Sequence, residues 1–407
     1  MKPLSLALAG FLWAAFVAVT HAQPGVRITV ADFLQAIEQH PDISAHAEGI
    51  ESIKSEIDIA RILPDPSLTF GNVSGDVSGL NMPQQLYLGV DYTVETGRKR
   101  QHRVQLANAQ VRLAEAEHAV FVNEFKRDAL LLFQHCWMLE QQIQEDLKYK
   151  QEILSLGVSD SAAHLKQQLL LMENQLLLDV AQDDLKESLD ELNDMVKHVY
   201  GAQPVLPAMW VWSFEKFTSA QASRYERVQV SKASADVVHQ EVLLMAANRV
   251  PDISLSLGNN FVGRGTNPEA PSPRYNAITA TVSVPLKFSN WHGAERKREE
   301  LRKESARQQE IEAVGVVEEQ LDETQDDIAD LSTTFAQLNK LIALQERFVA
   351  QLPSTQSREK LEEMTQLHGY RHQRWEIFDN ISKRKADLFV LTGALPRDPS
   401  VLAGATK

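Results

Sequence analysis

Pro64-Asp65-Pro66-Ser67-Leu68-Thr69-Phe70-Gly71-Asn72 returns further along the chain as Pro251-Asp252-Ile253-Ser254-Leu255-Ser256-Leu257-Gly258-Asn259. A near-copy at this distance marks an internal repeat. Each copy runs into a polar, glycine-containing stretch, Val73 to Gln84 and Asn260 to Arg274, the second also holding Pro268, Pro271 and Pro273. Each stretch then meets a second alternating segment, Leu86 to Val94 in the first half and Ile278 to Leu286 in the second. Period-two alternation bounded by turn residues is the signature of a strand. It predicts strands at 66–72 and 85–95, then at 252–261 and 275–286. Leu68, Phe70, Leu86, Leu88, Val90, Tyr92 and Val94 fall on one face, as do Leu255, Leu257, Ile278, Ala280, Val282 and Val284. Ser67, Thr69, Gly89, Asp91 and Thr93, with Ser254, Ser256, Thr279, Thr281 and Ser283, fall on the other. The wall of a membrane barrel needs this division, lipid on one side and water on the other. A half-buried hairpin in a soluble sheet shows the same alternation.

Working outward, a basic cluster follows each pair of strands. The first is Gly97-Arg98-Lys99-Arg100 with His102 and Arg103; the second is Arg296-Lys297-Arg298 with Arg302 and Lys303. Long cations at these places suit a membrane–water boundary, where they can snorkel. Then come stretches almost free of helix breakers. Lys99 to Leu156 has no proline or glycine, and Ala294 to Leu352 has only Gly315. On the order of 55 residues of helix span ~85 Å at 1.5 Å per residue. Val314, Leu321, Ile328, Phe335, Ile342 and Val349 recur every seven positions, as do Leu171, Leu178, Leu185, Leu192 and Val199. Heptads of this kind predict coiled-coil packing. Gly157-Val158-Ser159-Asp160 and Pro353-Ser354-Thr355 break the two helical runs once each, and Gly201 and Gly393 close the returning arms. The reading is therefore a mainly α chain with a small β part, in two tandem repeats that each join a β-hairpin to a coiled-coil helical hairpin. It assigns 1–22 to a signal peptide and 23–201 to the first repeat, with its helical hairpin at 99–200. A linker at 202–217 holds Trp210 and Trp212. The second repeat is 218–395, with its helical hairpin at 294–392, and 396–407 is a tail.

Composition narrows the class. Of 407 residues 43% are hydrophobic and 24% charged, which excludes a disordered chain. The formal net charge of −14 opposes nucleic acid as a partner, since phosphate binding needs a basic surface. Lys2, the apolar run Leu4 to Val19 and Thr20-His21-Ala22 read as an export signal cleaved after Ala22. No later segment approaches the ~20 apolar residues of a membrane-spanning helix. Any crossing by the mature chain would use a closed barrel. Cys136 is the single cysteine and sits in a helical pattern, so it reads as a buried structural thiol.

Candidate chemistry is sparse. His368 and His372 stand four apart on a helix and could share a metal, but no third ligand lies near them in sequence, so packed or solvated histidines are the reading. Asp322, Asp326 and Asp330 share a helix face, either as a cation-attracting stripe or as a solvated one. Asp76 and Arg264 sit in the glycine-containing loops with nothing around them to form an active site. No catalytic, cofactor or metal site is assigned, and an enzyme is not expected.

These residues resemble the TolC family of outer-membrane efflux proteins. The likeness rests on the two Pro-Asp-x-Ser-Leu strand entries, the Gly97-Arg98-Lys99-Arg100 helix start, the helix end from Leu192-Asn193 to Tyr200-Gly201, and Leu388 to Leu395 with Gly393. It implies a homotrimer in the outer membrane with a long periplasmic extension, its α-barrel capped by a closed β-barrel of about twelve strands. It also implies lipid-facing positions at Leu68, Phe70, Leu86, Leu88, Val90, Tyr92, Leu255, Leu257, Ile278, Val282 and Val284. The partners implied are a periplasmic adaptor protein and an inner-membrane pump, for which the chain would be a passive conduit. Leu156-Gly157-Val158-Ser159 resembles the family's adaptor-contact tip. The second tip, Leu352-Pro353-Ser354, lacks the expected glycine. Asp160 and Glu346 are the carboxylates nearest the tips and the candidates for an entrance ring. A periplasmic adaptor is the alternative, but it would carry one helical hairpin between β-rich halves.

Overall fold

The structure, a computed structural model, describes residues 26–73, 76–77, 80–81, 84–157, 161–201, 203–208, 225–264, 273–286, 292–353 and 356–393. The expected signal peptide, the tail at 396–407, Trp210, Trp212, Val158, Ser159, Asp160 and Ser354 lie outside them. The chain is mostly helical with a small sheet part. In order, the elements are β1 (Val26–Ile28), α1 (Val30–Glu38), α2 (Pro41–Arg61), β2 (Ser67–Val73), β3 (Asp76–Val77), β4 (Leu80–Asn81), β5 (Gln85–Val94), α3 (Lys99–Ser155), α4 (Ser161–Tyr200), β6 (Val205–Pro207), α5 (Glu226–Asn248), β7 (Ile253–Val262), β8 (Tyr275–Ser283), α6 (Gly293–Gln351) and α7 (Ser357–Thr392). Among the described residues no helix is long and apolar enough to cross a membrane.

The chain divides into two compact units. One comprises Met1–Ala45, Ala119–Glu226 and Val316–Lys407. Its main core gathers Phe33 and Ile37 of α1, Leu130, Phe133 and Cys136 of α3, Leu192 and Val196 of α4, and Phe389 of α7. Helix α1 starts on a capping box, with the Thr29 side chain accepting from Asp32 N while Asp32 accepts from Thr29 N. That box satisfies two N–H groups that a helix start leaves orphaned. It sets Phe33 against Phe133, ring centroids 4.9 Å apart. Strand β1 pairs in parallel with β6, a strand formed inside the segment read as linker. Asn193 Oδ1 accepts from Val205 N at 2.7 Å, which ties β6 to α4. Cys136 is fully buried, and burial pushes its thiol up to about 12, so it is inert at neutral pH. Between α3 and α7, Gln134 Nε2 donates to Ser382 Oγ at 2.6 Å, giving a buried polar pair its partner.

The other unit comprises His46–His118 and Arg227–Gly315. Its centre is one antiparallel sheet in the order β2-β5-β7-β8. The pairing of β5 with β7 joins the two hairpins read from the sequence. The register runs Leu68↔Val90↔Leu257↔Ala280 and Phe70↔Leu88↔Asn259↔Ile278, so apolar positions of the four strands fall in line, with Asn259 the polar member of the second row. The opposite face carries Ser67↔Asp91↔Ser256↔Thr281, where Thr69 and Ser256 hydroxyls both donate to Asp91. Strand β8 stops at Ser283, short of Val284. Pro285 follows and lacks the N–H a ladder needs. From β5 the chain turns into α3 through Gly97 (φ 65°) and Arg98 (φ 57°). A Cβ on Gly97 would lie 2.9 Å from Val250 Cβ and 3.0 Å from Ala247 O, so the close approach of α5 also demands glycine there.

The helices follow the breaker pattern. Gly315 lies inside α6 without ending it, since glycine keeps its backbone N–H and costs only ~1 kcal/mol relative to alanine. Gly201 and Gly393 both take φ 66° and donate to Lys197 O and Phe389 O at 2.8 Å, closing α4 and α7 with left-handed caps.

Candidate functional site

Three features bear on function: the apolar sheet face, the helix-hairpin ends, and a polar cluster between α3 and α7. Along the sheet, Leu68 is 72% exposed, Ile278 79% and Val282 69%, and Phe70, Leu86, Leu88, Val90, Leu255, Leu257 and Val284 are exposed as well. Tyr92, paired with Leu255, is half-buried. A contiguous apolar face on this scale is unusual for a surface in water and marks an interaction site. On the opposite face Tyr87 lies across Gly89 and Gly258, so that a Cβ on either glycine would meet its ring.

The basic clusters divide. Arg98, Arg100, Arg296, Lys297 and Arg298 are exposed, as the boundary reading expects. Lys99 is not: its Nζ lies 2.7 Å from Asp252 Oδ2, and its side chain is almost fully buried. Arg103 forms a two-pronged pair with Glu95, and Arg302 pairs with Glu241 at 2.9 Å. Lys99 and Arg103 hold the start of α3 against neighbouring elements of the same unit, whereas Arg302, still exposed, bridges α6 to α5. Their acidic partners stand eight, 61 or 153 positions away in sequence, which hid the pairs from a pattern reading.

At the hairpin ends Leu156 and Leu352 are half-buried, whereas Gly157 and Pro353 are exposed. Leu156 packs on the small core of Tyr149, Ile153, Leu170, Leu361 and Met364, so it braces the end from within. Gln167 Nε2 donates to Ile153 O at 2.7 Å, satisfying a carbonyl that the end of α3 leaves open. Ser357 Oγ donates to Gly157 O at 3.2 Å, and Lys166 pairs with Glu362 at 2.8 Å, which links the two hairpin ends. A Cβ on Gly157 would meet nothing within 4 Å. Glu346 is held by Arg371 at 2.7 Å, so its charge is already countered. Asp322, Asp326 and Asp330 are all exposed on α6.

His368 is packed and His372 half-buried beside it, within the reading of packed or solvated histidines. Asp146 of α3 supplies the third donor that the local sequence lacks. Asp146 Oδ1 lies 2.7 Å from His368 Nε2 and 3.0 Å from His372 Nε2, and the two Nε2 atoms are 3.2 Å apart. Tyr149 stacks on His368, centroids 4.0 Å apart and planes at 12°. Burial pushes the Asp146 carboxyl up, but hydrogen bonds from both imidazoles and their charges outweigh it and hold the group down at about 2. The hydrogen bond to Asp146 raises His372 against its own burial. The only sequence signal was the i, i+4 histidine pair.

No family model and no curated protein matches the chain. Solved structures do. The structure of CusC, reported for conformational changes accompanying folding and transmembrane channel formation, matches with a TM-score of 0.59 at 13% identity, over 91% of this chain and 93% of that one. The open state of the Neisseria gonorrhoeae MtrE outer membrane channel gives 0.66 at 12%, over 90% and 89%. The Campylobacter jejuni CmeC outer membrane channel gives 0.61 at 12%, over 92% and 88%. At such identities the likeness is one of fold, and it spans nearly the whole of each chain. The chain carries the TolC-like fold of the outer-membrane channels.

Proposed function

We propose that this chain is one subunit of a homotrimeric outer-membrane channel in a tripartite efflux system. Exported and cleaved after Ala22, it would pass substrates that an inner-membrane pump delivers through a periplasmic adaptor. The observation that carries the reading is the exposed apolar face of β2-β5-β7-β8, opposite a face of serine, threonine, glycine and Asp91. Strands β5 and β7 each have 10 residues. At ~3.3 Å per residue and a tilt near 45° they cover ~23 Å, close to the ~25 Å apolar band of an outer-membrane barrel. Among the described residues β2 pairs only with β5, and β8 only with β7, so the sheet has two open edges. Edge strands invite pairing, and three copies joined β8 to β2 would close about twelve strands without an edge.

Two further observations support assembly. Leu165, Leu169, Met172, Leu176 and Val180 lie exposed along α4 at helical spacing, and Leu341, Leu344 and Phe348 do so along α6. Such stripes need partners, and neighbouring copies in a helical barrel supply them. At the tip, Gly157 has neither a left-handed backbone nor a crowded Cβ position. Its own fold does not require glycine, whereas the close approach of an adaptor would. Transport then needs no chemistry from the chain: the pump supplies the energy, and the hairpin ends gate.

The test is fractionation of cells expressing the full chain, followed by sedimentation of the detergent extract. The proposal expects recovery with outer membranes and a trimer in detergent. A soluble periplasmic monomer would refute it.

A further inference from the structure

We infer that Asp146, His368 and His372 form a binding site for one divalent transition-metal cation of the zinc class, which pins α3 to α7. The inference goes beyond the channel proposal and does not depend on it, because it concerns a helix–helix joint within one unit.

The argument begins with the three edges of the donor triangle. Asp146 Oδ1, His368 Nε2 and His372 Nε2 are separated by 2.7, 3.0 and 3.2 Å. If both imidazoles donate to Asp146, their two Nε2–H groups crowd each other across the third edge. If either carries its proton on Nδ1 instead, its edge to the carboxylate sets lone pair against lone pair. With both imidazoles donating to Asp146, the Nε2–Nε2 edge carries no hydrogen bond. A cation above the triangle would engage all three groups, since each can offer it a lone pair. Zinc with bonds of 2.0–2.2 Å to nitrogen and oxygen has tetrahedral ligand–ligand edges of about 3.3–3.5 Å. The triangle reaches that size if its edges open by no more than about 0.8 Å, within the range of side-chain adjustment.

The surroundings fit. Tyr149, one turn beyond Asp146, stacks on the His368 ring and fixes its plane. Asn174 Nδ2 donates to the Asp146 carbonyl at 3.1 Å and anchors that turn of α3 to α4. Glu145, next to Asp146 in α3, is taken by Arg374 and by Trp375 Nε1 at 2.8 Å, so it is committed outside the triangle. Asp146 is 3% exposed and His368 11%, but His372 is 35% exposed and opens a path for entry. A donor set of two imidazoles and one carboxylate suits zinc, copper(II), cobalt(II) and nickel(II), and disfavours magnesium and calcium. The site lies about two and a half turns before the end of α3 and about three turns into α7, close to the ends that carry Gly157 and Pro353.

The test uses the full chain purified in detergent, stripped with chelator and dialysed against Zn2+. The inference expects one Zn2+ per chain and a rise in the thermal midpoint on binding. Affinity should fall at least about 100-fold in His372→Ala and in His368→Ala, and stay unchanged in His164→Ala, an exposed histidine outside the cluster. Sub-stoichiometric uptake, or uptake that survives His372→Ala, overturns it. A measurement free of variants uses Co2+ with the wild-type chain. Intense visible d–d bands of a low-symmetry site are expected, and bands no stronger than those of aqueous Co2+ overturn the inference as well.

Discussion

The ring of Tyr87 in β5 lies across Gly258 in β7, so close that a Cβ on Gly258 would fall inside contact distance of the ring. The residue facing Gly258 across the ladder is Gly89, which is equally covered. One aromatic therefore fills the space that two glycines leave on the polar face. Gly258→Val must push the ring away and should cost about 1–3 kcal/mol, the usual penalty of overpacking. In the Tyr87→Ala background the same change should cost much less. A double-mutant cycle on unfolding midpoints reads the coupling, and additive effects would mean that the two residues do not meet.

Asp65 and Asp252 occupy the same place in the two sequence copies, yet their surroundings differ. Asp65 is exposed, while Asp252 takes Lys99 Nζ at 2.7 Å and Thr96 N at 2.9 Å. Asp252→Ala leaves a buried ammonium unpaired and should destabilise by about 2–3 kcal/mol, since Asp252 itself is partly solvated. Asp65→Ala should stay within about 0.5 kcal/mol, as surface changes do. Denaturant unfolding of both variants checks the ordering, and equal losses would contradict it.

His118 and His46 face each other through their Nδ1 atoms at 3.0 Å, with rings stacked 5.1 Å apart. Burial, and then the charge of His46, hold His118 below the ordinary histidine value of 6.5. A histidine depressed in the folded state stabilises the fold above 6.5, and that contribution is lost as pH falls through its folded value. Through His118 the unfolding midpoint should fall as pH drops below about 6.5, against the opposite pull of His372, and His118→Gln should remove that part of the profile. An identical pH profile in the variant would show that this pair is not the cause.

Gly157→Val tests the tip. Nothing in the chain crowds a side chain there, so the variant should keep its melting point and trimer while efflux in whole cells falls. Normal efflux by a variant present at wild-type level would remove Gly157 from the adaptor contact.

The sequence carried the local structure well. Strand alternation, the proline-free runs and the glycines at 201 and 393 located elements through short-range sterics, which depend only on neighbours in the chain. What stayed hidden was pairing over long range. Nothing near Leu88 announces Asn259 as its partner, and nothing near His368 announces Asp146. The heptads told only part of the packing: Leu321 and Leu178 are fully buried, while Val199 at the same spacing is exposed. Helices α1, α2 and α5 were also missed, although Thr29 and Asp32 form a capping box at the start of α1.

The central claim is that one face of the β2-β5-β7-β8 sheet meets lipid and the other meets water. Adjacent residues of β8 test it, because Ile278 and Thr279 point to opposite faces and both are exposed. Single cysteines at each, in isolated outer membranes, can be probed with a membrane-impermeant and a lipid-soluble maleimide. Native Cys136 stays silent, being buried with its thiol pushed up to about 12. The account predicts that Ile278→Cys reacts only with the lipid-soluble reagent and Thr279→Cys with the impermeant one. Equal labelling of both by the impermeant reagent would contradict it.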